Sequence, residues 1–319
     1  AGDDIDFTPS LDTLSANWQF TDDESGIAGY RYRIVTGAEA SQWTDDPSSL
    51  TNQRRSFAST VVNGRAWAIG GFNGSSILAS TEEYNPVTRR WSTLPTSLRT
   101  ARSSFAFAEL GEGDLVAAGG LGASGALRSI ERYTAATGWQ IVATLLTARY
   151  GAVAIEAADG VVWVIGGADN NDNLLTSMEI VDLRNDVPVV TEVANVLTTA
   201  RSDFRVVRQQ RGDITYVLVI GGVDSLYQVS RQINVLRVLG GGLTLNKNAD
   251  AALATSRYGF AALVIPTTQD VWIMGGSDGT QVLSSVERIS ALGDISAFAP
   301  MTAARMNFPA LWLDSVGRV

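Results

Sequence analysis

No cysteine and no histidine occur among the 319 residues. The first absence excludes disulfides, thiolate nucleophiles and cysteine-bound metals. The second removes the usual general base, the Ser-His-Asp arrangement and the commonest metal ligand. Most familiar catalytic sites are therefore closed to this chain, and neither a cofactor nor a metal is expected. Lys247 is the single lysine of 24 basic residues, a bias that fits GC-rich coding, as in a bacterial source, better than a function. With a formal net charge of −9 the chain lacks the basic surface that phosphate neutralisation requires, which argues against nucleic acid as a partner. No apolar run reaches the roughly 18 residues of a membrane span. The polar, acidic start Ala1-Gly2-Asp3-Asp4 is no signal peptide and is compatible with a chain that has already lost one. An extracellular, cell-surface or periplasmic location is expected on that ground.

What is present is repetition. Ala68-Ile69-Gly70-Gly71 recurs as Ala117-Ala118-Gly119-Gly120, Val164-Ile165-Gly166-Gly167, Val219-Ile220-Gly221-Gly222 and Ile273-Met274-Gly275-Gly276. The intervals between first glycines are 49, 47, 55 and 54 residues. Strand-based repeats of about 40 to 50 residues predict a β-propeller, one four-stranded blade per repeat. Each repeat opens on an arginine followed shortly by an aromatic residue in most cases, as in Arg54-Arg55-Ser56-Phe57 and Arg257-Tyr258-Gly259-Phe260. Small apolar residues follow, as in Ala58-Ser59-Thr60-Val61-Val62, which suit an inner strand crowded against its neighbours. Asn63-Gly64 between two apolar strands is a strong hairpin signal. Ten to twelve residues beyond each second glycine stands an acid or amide: Glu82, Glu131, Glu179, Gln232 and Glu287.

The order of arginine, Gly-Gly, polar turn, Glu-x-Tyr, Asn-Pro-x-Thr and tryptophan resembles the Kelch repeat, with Gly70 to Trp91 the clearest match. The resemblance covers residues 54–319 and implies an all-β fold, a Kelch-type β-propeller. The repeat at 201–256 departs most, with Gln232 for glutamate, no tryptophan and an inserted Gly240-Gly241-Gly242. A sixth arginine start, Arg305-Met306-Asn307-Phe308, is followed by a single strand's worth of residues. Residues 1–53 hold the complementary content: Leu14 to Phe20, Tyr30 to Val35 and Trp43 read as second, third and fourth strands. The chain is therefore expected to form one domain, a six-bladed ring whose first blade is closed by the C-terminal strand pairing with N-terminal strands. Asp22 to Val35 also resembles part of a fibronectin type III domain, a minor alternative covering about three strands.

Residues that recur in every repeat belong to the framework. A buried arginine can bind carbonyls or a glutamate through its five donors, and the resemblance implies the same assignment. The better recognition candidates are the varying residues beside them, in the loops before the inner strand and after the Gly-Gly. In Kelch propellers these loops share one face. Here they place Arg55, Phe72, Asn73, Ser104, Leu121, Tyr150, Asp169, Asp172, Asp203, Asp224, Ser225, Tyr258, Asp278 and Asn307 there. The run Asp169-Asn170-Asn171-Asp172-Asn173 has oxygen donors enough for calcium but lacks EF-hand spacing, and a plain turn is expected. Asn73-Gly74-Ser75 is a glycosylation sequon by pattern, at a place where the repeat already wants Asn-Gly.

The expected function is that of a non-enzymatic binding module, recognising protein or carbohydrate through one propeller face. A copper radical oxidase of the galactose oxidase type would need histidine ligands and a cysteine, and the chain has neither. A sialic-acid epimerase of the six-bladed Kelch type stays open as an alternative, with Arg55, Asp203 and Tyr258 as its first residues to mutate. So does a structural role, as an oligomer or the subunit of a surface assembly.

Overall fold

The computed structural model describes residues 49–307 apart from 112, 248 and 249, together with the backbone of three strands nearer the N-terminus. The chain divides into two compact units, Ala1–Ser103 with Asn307–Val319, and Ser104–Met306. The fold is an all-β propeller. The first unit holds one four-stranded antiparallel blade, Ala58–Val62, Arg65–Ile69, Thr81–Asn85 and Arg90–Thr93, each strand paired with the next. The second unit holds four more. Their inner strands are Ala106–Glu109, Val153–Ala158, Arg205–Arg211 and Ala261–Val264. The blades are numbered one to five along the chain.

Five blades are thus found among the described residues; four have four strands, and blade four gains a short fifth, Ala251–Ala252. Six blades were expected. The N-terminal strands explain part of the difference. Leu14–Asn17 and Arg31–Ile34 are not paired with each other. Both flank Asp4–Pro9, the first antiparallel and the second parallel. A blade is an antiparallel meander, so this mixed three-stranded sheet is not one. Trp43 and residues 308–319, expected to complete that blade, lie outside the described residues, as does most of the fibronectin-like stretch.

Within the second unit the inner strands of successive blades run beside one another. That proximity is why they carry small residues such as Ala106, Ala108 and Ala154, all buried. The second strands are buried on both faces, and so read as continuous apolar runs instead of alternating ones. In blade three all of Val161–Ile165 is buried. Val162 and Val164 pack with Ala154, Val116 and Ile130 toward blade two. Val161, Trp163 and Ile165 pack with Val217, Val219 and Leu236 toward blade four. Each such aliphatic side chain contributes roughly 1.5–3 kcal/mol on burial, so the blade-to-blade layers hold this unit together.

Candidate functional site

The repeating arginines are framework. Arg54, Arg102, Arg149, Arg201 and Arg257 are all 0 % exposed. Arg149 donates from Nη2 to Glu179 Oε1 at 2.9 Å and from Nη1 to the carbonyl of Gly166 at 2.9 Å. Arg54 makes the same pair of bonds to Glu82 and Gly70, and Arg257 to Glu287 and Gly275. Each of these glutamates also accepts two backbone N–H groups from the segment just before its arginine, as Glu179 does from Leu146 and Thr147. The chain's approach to the inner strand is thereby tied to the third strand of the blade it enters. Ser80, Ser177 and Ser285 accept from the same guanidinium through side chain and carbonyl. Their regular place two residues before each glutamate was the overlooked signal.

Blade four departs, though not at the expected residue. Asn234, not Gln232, stands opposite Val219 where the other blades have glutamate, and its Oδ1 accepts from Arg201 Nη2 at 2.8 Å. Gln232 makes only a 3.3 Å bond to the same guanidinium. The carboxylate has moved one shell outward, to Asp250, whose Oδ1 accepts from Asn234 Nδ2 at 2.9 Å. Burial pulls the Arg201 guanidinium down to about 10, with Asp250 opposing it.

The double glycines form the end of each blade. Both glycines of every pair have positive φ, as Gly166 at 62° and Gly167 at 86°. A Cβ on Gly167 would lie 2.6 Å from the carbonyl oxygen of Tyr150, so two backbones meet there closer than any side chain permits. The residue after the pair then bridges the residue after the arginine: Phe72 with Arg55, Ala168 with Tyr150, Ser277 with Tyr258. The two candidate loops of a blade therefore do share an end.

Several expected site residues also shape this end of the blade. Ser56, Ser104, Gly151, Asp203, Gly259 and Asn307 occupy one repeat position, and all have φ between 48° and 63°. Ser104, Asp203 and Asn307 thus hold a left-handed bend, one residue past the position of Arg55, Tyr150 and Tyr258. Asn73, Asp169, Asp224 and Asp278 close the loops after the Gly-Gly by accepting backbone N–H groups two to four residues ahead. The Thr280 hydroxyl, with the N–H groups of Gln281 and Thr280, takes the Asp278 carboxyl down to about 2. Asp169 is lowered likewise, first by the Asn173 side chain. Among the described residues no cluster of three acidic side chains could hold a metal. Leu121 is half-buried in a two-residue strand with Ala126.

The remaining features do not repeat. In the first unit the Arg55 guanidinium lies 5.2 Å from the centre of the Phe72 ring. In the second, the Tyr150 hydroxyl donates to Asp172 Oδ1 at 2.6 Å, which raises the phenol to about 12. The loop after the fourth Gly-Gly presents Leu226 and Tyr227, 75 % and 87 % exposed, beside exposed Ser225. Asp224 Oδ1 fixes this turn by accepting from Leu226 and Gln228, and Tyr227 sits at φ 59°. The two residues were missed because Asp224-Ser225 reads as one more polar turn. The available signal was an apolar pair where other repeats carry Asn, Gly or Ser.

A family model described as Kelch motif matches residues 53–97. The Kelch repeat and BTB domain-containing protein F47D12.7 of Caenorhabditis elegans is 32% identical over 79 residues. That match covers 25% of this chain and 14% of the nematode protein, so the chain aligns with a small part of that relative's length. A solved structure titled "Structure of YjhT" superposes with a TM-score of 0.67 at 14% identity, covering 92% of this chain and 97% of that one. At that identity the likeness concerns the fold.

Proposed function

We propose that this chain, whose residues 53–97 match the Kelch motif, is a non-enzymatic protein-binding module of the Kelch-repeat β-propeller kind. Its contact surface is the Gly-Gly end of the second unit, centred on Leu226 and Tyr227. One observation carries this reading: an apolar aliphatic–tyrosine pair stands out in solvent on a turn whose backbone is already fixed by Asp224. Holding a large apolar group in water has a cost that a partner's pocket removes, and tyrosine is among the commonest anchors of protein interfaces. A pre-formed turn also reduces the entropy lost on binding. The recurring arginines, glutamates and glycines hold the scaffold and are withdrawn from solvent, which leaves recognition to the residues that vary between repeats. The acidic surface favours a neutral or basic partner.

The test compares wild type with the L226A/Y227A double variant in affinity capture from the native source, with thermal melting as the folding control. A protein retained by wild type, lost by the variant and bound saturably when purified supports the reading. Equal retention refutes it, as does a glycan-array profile with micromolar sugar binding that the double substitution leaves intact.

A further inference from the structure

One position on the second and third strands is filled differently from blade to blade. It joins the residue five before the first glycine of the pair to the residue after the repeat glutamate. Blades one, two and five close it with an ion pair: Arg65–Glu83 at 2.5 Å, Arg132–Asp114 at 2.6 Å and Arg288–Asp270 at 2.7 Å. In blade three it is apolar, Val161 and Ile180, and the inserted glycines of blade four cover it. Gly242 accepts from Trp163 Nε1 at 2.7 Å, and a Cβ there would lie 3.0 Å from Val161. Blade four has Tyr216 and Val235 at this position, and neither device closes it. A cleft of about 320 Å³ opens there between blades four and five. Leu218, Ile233, Val235, Ile289 and Ile295 line it, with Arg211 and the Leu292–Gly293 turn.

Arg211 is held for a partner that the chain does not provide. Its Nε donates to Gln209 Oε1 at 2.7 Å. Gln209 is fully buried and fixed in turn, donating from Nε2 to the carbonyls of Gln269 and Ser290. The guanidinium lies 4.8 Å from the centre of the Tyr216 ring. Gly293 lies beside it at φ 96°, a left-handed backbone that favours glycine. Among the described residues no carboxylate pairs with Arg211 and neither Nη nitrogen makes a hydrogen bond. Burial depresses its pKa, as expected for a half-buried cation without an anion.

We infer that this cleft binds a small apolar carboxylic acid, its chain against Ala251, Leu292 and Ile295 and its carboxylate on the two Nη donors of Arg211. An arginine presenting two parallel donors suits a carboxylate, and the apolar walls with a single charged group match the usual make-up of a small-molecule site. At roughly 30 Å³ per non-hydrogen atom the volume takes about ten such atoms, the size of octanoate. Exposed Leu292, 87 % accessible, extends the apolar wall outward. The inference is independent of the role proposed for Leu226 and Tyr227.

Isothermal titration of the whole chain with octanoate and with 1-octanol tests it. Octanoate is expected to bind saturably and at least about tenfold tighter than the alcohol, the effect of a charge-assisted bond. R211Q removes that preference, and A251F, which fills the cleft from its half-exposed wall, weakens both ligands. Should R211Q fail to fold, the octanoate-to-octanol ratio on wild type and the A251F result decide the matter. Absence of saturable octanoate binding overturns the inference. So does equal affinity for the two ligands, or octanoate binding that survives both substitutions.

Discussion

Substituting Glu179 with alanine removes the acceptor of three hydrogen bonds, the buried one from Arg149 at 2.9 Å and two part-buried ones from the backbones of Leu146 at 2.6 Å and Thr147 at 2.9 Å. Arg149 would keep only its bonds to Gly166 and Ser177, a fully buried cation left with no paired carboxylate and only the lesser attraction of Glu192. Breaking such a pair from one side costs about 3–5 kcal/mol, against a domain stability of about 5–15 kcal/mol. Urea unfolding followed by tryptophan fluorescence reads the effect, since Trp163 is fully buried in the same blade. The double variant R149M/E179L exchanges the pair for apolar groups. It should be more stable than the sum of its single substitutions implies, by at least about 2 kcal/mol. A cost below about 1 kcal/mol for E179A, or single-variant costs that simply add, would refute the framework role of the pair.

Two glycines separate backbone strain from steric contact. G167A faces the Tyr150 carbonyl and Ala152 at once and should lose at least about 2 kcal/mol. G151A has the same sign of φ with nothing within 4 Å, so its loss should stay near about 1–2 kcal/mol in a thermal melt. The Tyr150–Asp172 bond predicts a spectroscopic shift: absorbance titration near 295 nm should show one phenol ionising near pH 12, and D172N should return it toward the usual value of about 10. Because the folded-state value is raised, the stability from this bond is fully present below about pH 10 and is lost as pH climbs through about 12.

What the sequence made legible was whatever repeats. Five glycine pairs in phase with arginine and glutamate marked the blades and the framework, because each constraint recurs wherever the geometry recurs. The misreadings lie where one position is met once, or where loop length drifts. Asn234 lies twelve residues past Gly222, as Glu179 lies twelve past Gly167, yet Gln232 at ten fell within the same tolerance. Ser104 and Asp203 were grouped with Tyr150 although they stand one residue further from the repeat arginine, and the left-handed φ that sets them apart is not written in the sequence. The Asp4–Pro9 strand, which separates Leu14–Asn17 from Arg31–Ile34, carries no repeat signature. Nor could the cleft beside Arg211 be read from the chain, since it arises from two substitutions in one blade and a glycine in the next.

The division between repeating framework and non-repeating contact residues is tested most directly by amide hydrogen exchange on the protein bound to a captured partner. Slowed exchange centred on Val223–Val229, with the turn at 290–294 unchanged, is the predicted result. Protection confined to the turns at 212–213 and 290–294, with Leu226 and Tyr227 exchanging as in the free protein, would contradict it.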